Sequence, residues 1–113
     1  MSILLRKNTR FIIQGITGRE AINLTRENLD YGAKIVGGVT PGRAGRDVYG
    51  VQVYDCVRDI TAKTRVDGSV VCVPPRFTRD AVFEAIENGI KLIVIVTERI
   101  PRREVAQVIE LAN

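Results

Sequence analysis

Histidine is absent from all 113 positions of this chain. That excludes imidazole metal ligands and imidazole acid–base catalysis from its own residues. Cysteine is scarce, with Cys56 and Cys72 alone. Cys72 lies inside Ser69-Val-Val-Cys-Val73, where a thiol behaves as a small hydrophobe. Two reduced, unpaired cysteines are therefore expected, and neither a disulfide nor a metal site. Long apolar runs are missing too. None approaches the about 18 residues that span a bilayer, and the opening Met-Ser-Ile-Leu-Leu-Arg lacks a signal-peptide layout. A cytoplasmic protein with no membrane role is the expectation.

An apolar fraction of 45% and a charged fraction of 27% fit one soluble domain over residues 1–113, large enough to bury a core. The net charge of +4 comes mostly from arginine. Such an excess is mild, and no basic helix or basic–aromatic interleaving accompanies it. It suits a small anionic ligand and gives no reason to expect a nucleic-acid partner.

Short β-branched runs alternate with helical patterns. Strands are expected at Phe11–Gln14, Ala33–Val39, Val51–Tyr54, Ser69–Val73 and Leu92–Val96. Helices are expected at Arg19–Tyr31, about Val57–Thr64, Thr78–Asn88 and Pro101–Ala112. Thr78 reads as an N-cap and Gly89 as a left-handed helix stop. Pro101 suits a first helical turn, with Val105, Val108, Ile109 and Ala112 on one stripe. The strand at Leu92–Val96 is apolar at five consecutive positions, so both its faces should be covered. The fold class that follows is α/β: a Rossmann-like, doubly wound parallel sheet. A chain stopping at Asn113, after a helix, is expected to continue into a final strand and further domain.

Ligands of such sheets bind beyond the carboxyl ends of the strands. Four loops gather there. The first, Gly15-Ile-Thr-Gly18, leads into a helix N-terminus that favours phosphate, although it is not G-x-G-x-x-G. The second, Thr40-Pro-Gly-Arg43 with Arg46, stands where a dinucleotide enzyme would place an acid for the ribose hydroxyl. Glycine beside arginine lets a backbone approach a phosphate that a guanidinium then clamps. The third, Pro74-Pro-Arg-Phe77, offers a flat ring, and the fourth is Thr97-Glu-Arg-Ile-Pro101. Arg19, Arg43, Arg46, Arg76, Arg79, Arg99, Arg102 and Arg103 fall at this rim. Asp80 and Glu98 are single carboxylates expected to cap helices. Acid–base pair, serine elbow and Walker loop are all missing, so the residues describe a binding domain without catalytic residues of its own.

Gln14-Gly-Ile-Thr-Gly18, Val36-Gly-Gly-Val-Thr-Pro-Gly-Arg43, Val73-Pro74 with Phe77, Glu84-Ala-Ile with Gly89-Ile-Lys-Leu92, and Thr97-Glu with Ile100-Pro101 carry a pattern in one unbroken register. It resembles the amino-terminal CoA-binding domain of the succinyl-CoA synthetase (succinate–CoA ligase) α subunit. The resemblance implies coenzyme A as ligand. It implies a CoA loop at Thr17, Gly18, Arg19 and Glu20, contacts at Pro41, Arg43, Val73 and Pro74, and a last loop at Val96, Thr97 and Glu98. It also implies an NDP-forming ligase that works through a phosphohistidine on a second domain, with an ATP-grasp β subunit as partner. Against the family pattern, Arg43 replaces a lysine, Arg19-Glu20 replaces a small polar residue and glutamine, and Ala44 and Arg99 replace glycines. Arg76 stands inside the family's Val-Pro-x-Pro-Phe stretch. Two alternatives stay open: a stand-alone regulatory CoA-binding protein, and an NADP-binding Rossmann domain.

Overall fold

Alternating β-branched and amphipathic stretches build layers only if each finds a partner for its apolar side. The computed structural model describes residues 8–96 and the backbone of 106–110. Along these the elements are β1 (Arg10–Gln14), α1 (Arg19–Tyr31), β2 (Lys34–Val39), β3 (Asp47–Val48), β4 (Val51–Tyr54), α2 (Val57–Thr61), β5 (Gly68–Val71), α3 (Pro75–Glu87), β6 (Leu92–Val96) and β7 (Ala106–Glu110). The sheet order is β3-β4-β2-β1-β5-β6-β7. Its five central strands, β4 to β6, are parallel, while β3 and β7 pair antiparallel at the two edges. The doubly wound α/β expectation is met, with antiparallel margins added. None of the helices among the described residues is long and apolar enough to cross a membrane.

Strand alternation sends side chains to two separate cores. Phe11, Ile13, Val70, Leu92 and Val94 join Ala21 and Leu24 of α1 on one face. Ile12, Val71 and Ile93 join Val57 and Ile60 of α2 and Ala81 and Ala85 of α3 on the other. This accounts for the unbroken apolar run of β6, which feeds both cores. α1 also buries Thr25 and Asn28, whose side chains donate to the Ala21 and Leu24 carbonyls at 2.7 and 2.9 Å. Buried polar groups thus stay satisfied within their own helix.

Three expectations need correction. Residues 106–110 form β7 and do not continue a helix; the expected Pro101–Ala112 helix otherwise lies outside the described residues. Helical spacing of apolar residues says nothing about the open edge of β6, whose N–H and C=O groups β7 pairs; adjacent β-branched Val108 and Ile109 suit a strand. α3 begins at Pro75, three residues before the expected cap, because proline at the first helical position loses no hydrogen bond. Thr78 therefore sits inside the helix, its hydroxyl donating to the Pro74 carbonyl at 3.5 Å. The β3–β4 hairpin, turning through Tyr49 and Gly50 at φ 51° and 88°, adds a strand to those expected. Gly89, at φ 83°, is left-handed as expected.

Two features hold the carboxyl end of the sheet together. Gln14 closes β1 with a buried carboxamide: its Nε2 donates to the Ala81 carbonyl at 2.9 Å and its Oε1 accepts from the Ser69 hydroxyl at 2.6 Å. One side chain therefore ties α3 to β1 and β5. Gly38 of β2 faces the fully buried Ile16, and a Cβ there would lie 2.7 Å from Ile16 Cβ. That carbon is fixed to the backbone, so it cannot swing away.

Gly38→Ala is expected to destabilise the chain by about 1–3 kcal/mol in urea denaturation. Combined with Ile16→Ala, its cost should fall below the sum of the single costs by more than about 0.5 kcal/mol, since the second change removes Ile16 Cδ1 and Cγ2, the two nearest obstacles, and leaves only the Cβ contact. Gln14→Leu should cost about 1–3 kcal/mol by stranding the Ser69 hydroxyl, and adding Ser69→Ala should recover part of that loss in the same measurement.

Candidate functional site

The parallel strands end together, and the turns leaving them build one cleft. β1 gives way to Gly15 at φ 86°, whose N–H donates to the Val39 carbonyl at 2.6 Å. A Cβ at Gly15 would stand 2.8 Å from the Cys72 carbonyl oxygen, so only glycine lets the first loop run this close to the end of β5. The Thr17 hydroxyl and N–H reach the Thr40 hydroxyl at 3.2 and 3.4 Å, joining the loops after β1 and β2. α1 then starts at an N-cap glycine, Gly18, that makes no side-chain cap bond, and α3 starts likewise after Pro74. The dipole of α1 favours an anion at its N-terminus, whereas in α3 Pro75 has no N–H and the Phe77 N–H already donates to the Pro74 carbonyl at 2.8 Å.

The resulting cleft holds about 510 Å³ and is lined by Gln14, Gly15, Thr17, Gly18, Val39, Thr40, Pro41, Cys72, Val73, Pro74, Phe77, Asp80, Ala81 and Glu84. That is within the ordinary size of small-molecule sites. Among the described residues, neither lysine nor arginine lines it. Its wall carries two carboxylates, and one of them also braces the fold. Glu84 Oε2 accepts from the Val57 N–H at 2.7 Å, at the start of α2.

Cations instead stand outside. Arg19, Arg43, Arg46, Arg76 and Arg79 are all exposed or half-buried and none enters the lining. Arg76 lies over the Phe77 ring at 5.0 Å and Arg79 over Phe83 at 5.6 Å, so the aromatic side chains of α3 hold guanidiniums in place.

The predicted site residues divide accordingly. Thr17, Gly18, Pro41, Val73 and Pro74 line the cleft together. Arg19 and Glu20 are in the first turn of α1, outside the lining, and Arg43 stands on the loop two residues past Pro41. Val96 is half-buried, packed against the core that α1 covers. Thr97, Glu98 and the rim residues Arg99, Arg102 and Arg103 lie outside the described residues. Asp80, expected to cap a helix, faces the cleft because α3 begins earlier than Thr78. The backbone of the second loop is also not free for a phosphate. Arg43 and Arg46 donate to the Thr40 and Arg43 carbonyls, Gly45 donates to the Val53 carbonyl, and Gly42 and Ala44 donate to Asp55. Sequence reasoning missed Gln14 and Glu84 as lining residues; the turn of α3 that presents Glu84 also presents Asp80 four residues earlier, a spacing visible once the helix start is known.

Comparison with known proteins agrees with this geometry. Over 101 residues the chain is 50% identical to a succinate–CoA ligase [ADP-forming] subunit alpha 1 of Archaeoglobus fulgidus, covering 89% of this chain and 35% of that one. It is 43% identical over 108 residues to the ADP-forming sulfoacetate-CoA ligase subunit SauD of Bilophila wadsworthia, covering 96% of this chain and 37% of that one. The chain thus spans about a third of the length of the curated relatives it matches. Among solved structures a Rex-family repressor superposes with a TM-score of 0.69 at 21% identity, over 84% of this chain and 49% of that one, a likeness of fold. The CoA binding domain family model matches residues 6–99, and with a glycine-floored cleft at the carboxyl ends of a parallel sheet, the chain belongs to that family.

Proposed function

We propose that this chain is the CoA-holding part of the α subunit of an NDP-forming acid–CoA ligase. The observation that carries the reading is the division of charge: a cleft whose described lining has no basic side chain, and exposed arginines on the loops and helix starts that flank its lining residues. Coenzyme A has the matching division, with a long neutral arm and a flat base joined to strongly hydrated phosphates. The residues fit it. Gly15 lets the first loop close against the end of β5 and so shapes the floor, and Thr17, Gly18, Arg19 and Glu20 present the N-terminus of α1 to phosphate. Pro41, Val73, Pro74 and Phe77 supply apolar contact, and Arg43 faces an extra ribose phosphate. Val96, Thr97 and Glu98 complete the loop after β6 by resemblance. CoA when bound supplies the thiol that accepts an acyl group; this chain's part is to bind and orient it.

The absence of histidine means that a phosphohistidine would come from another domain. An ATP-grasp β subunit, in the cytoplasm, is the partner this reading calls for. Acid selection belongs outside this domain, because one relative is named for succinate and another for sulfoacetate at comparable identity.

Calorimetric titration tests the reading. CoA should bind more tightly than dephospho-CoA, and NADP⁺ should give no heat. Arg43→Ala should weaken CoA about 10–100-fold by removing a charge-assisted clamp, yet change dephospho-CoA less than about three-fold. Phe77→Ala should weaken both CoA forms by the same factor. Absence of heat at millimolar CoA would sink the proposal.

A further inference from the structure

Arg43 is carried on an exposed loop, yet a guanidinium selects a phosphate only if its backbone is held in place. The loop's own hydrogen bonds show how. β2 and β4 end side by side, with Val39 opposite Tyr54 and the Thr40 N–H donating to the Tyr54 carbonyl at 3.0 Å. The residue after β4, Asp55, therefore lies beside the start of the arginine loop. Its Oδ1 accepts from the Gly42 N–H at 2.8 Å and from the Ala44 N–H at 3.3 Å. These are the two amides on either side of Arg43. Successive N–H groups converging on one point form an anion-binding concavity, and here the anion is part of the chain.

We infer that Asp55 is a positioning residue for Arg43, an internal anion that occupies the loop's backbone concavity and leaves the guanidinium to meet a ligand phosphate. The inference rests on the CoA reading above and deepens it: the loop discriminates by side chain and not by backbone. It also makes an unusual sign prediction. A carboxylate close to a phosphate site repels the ligand, so its removal by charge alone would tighten CoA binding. Loss of positioning acts the other way, since affinity falls by the fraction of loop still in the competent conformation.

The test is titration of CoA and dephospho-CoA into the wild-type chain, Arg43→Ala, Asp55→Ala and Asp55→Asn. Asp55→Ala should weaken CoA about 5–10-fold and leave dephospho-CoA within about two-fold. Asp55→Asn keeps an acceptor oxygen for both amides and should restore CoA binding to within about two-fold of wild type. Equal losses for both ligands, or CoA binding as tight in Asp55→Ala as in wild type, overturn the assignment. A wild-type preference for CoA that Arg43→Ala abolishes and Asp55→Ala preserves overturns the Asp55 role alone. A wild-type chain with no preference for CoA overturns the reading beneath it as well.

Discussion

The cleft depends on one buried carboxamide. Gln14 is the last residue of the central strand, 2% exposed, and both ends of its side chain are engaged. Its backbone carbonyl also accepts from the Cys72 N–H at 2.8 Å. β1, β5 and α3 are thus joined at the point where the chain has crossed to one side for β2 and returns to the other for β5. Such reversal points are where open parallel sheets leave a crevice. An apolar residue at position 14 could pack, but it could not fix α3 in rotation about its axis. Phe77, Asp80, Ala81 and Glu84 all face the cleft from that helix, so its rotation decides what the ligand meets.

Placement of charge follows from the same packing. A guanidinium inside a narrow, mostly apolar crevice would lose hydration that a single partner could not replace. The long side chains stay outside the lining instead, where water still reaches them. A net charge of +4 favours the approach of an anion to the molecule as a whole, while Asp80 and Glu84 place carboxylates on the cleft wall itself.

Much of this is legible in the chain because the strongest signals are short-range. α1 and β6 keep the expected limits Arg19–Tyr31 and Leu92–Val96, since a clear amphipathic stripe and a five-residue apolar run admit few alternatives. What escapes is what depends on neighbours across the fold. The β3 strand is two residues long, too short for any period to show. The partners of Glu84 and Asp55 lie 27 and 11 to 13 residues away in sequence. β7 answers to the open edge of β6, a property of the sheet and not of residues 106–110 alone. The earlier start of α3 has a local cause: Thr78 has the chemistry of a cap, yet the Pro74-Pro75 pair sets the chain extended at the first and helical at the second.

Ala44 shows how geometry changes the meaning of a departure from a family pattern. A glycine at that position suggests either a left-handed backbone or a ligand passing against it. Neither holds here. Among the described residues the only non-glycine with positive φ is Tyr49, so Ala44 has a backbone that any residue adopts. Its N–H is committed to Asp55. A methyl group there removes no donor and forces no strain, while alanine restricts the unfolded chain more than glycine does. Substituting alanine therefore stiffens the loop without blocking it. On the CoA reading proposed above, Arg43 on such a loop would keep more of its binding free energy for a phosphate, because less would be lost in ordering the backbone that carries it.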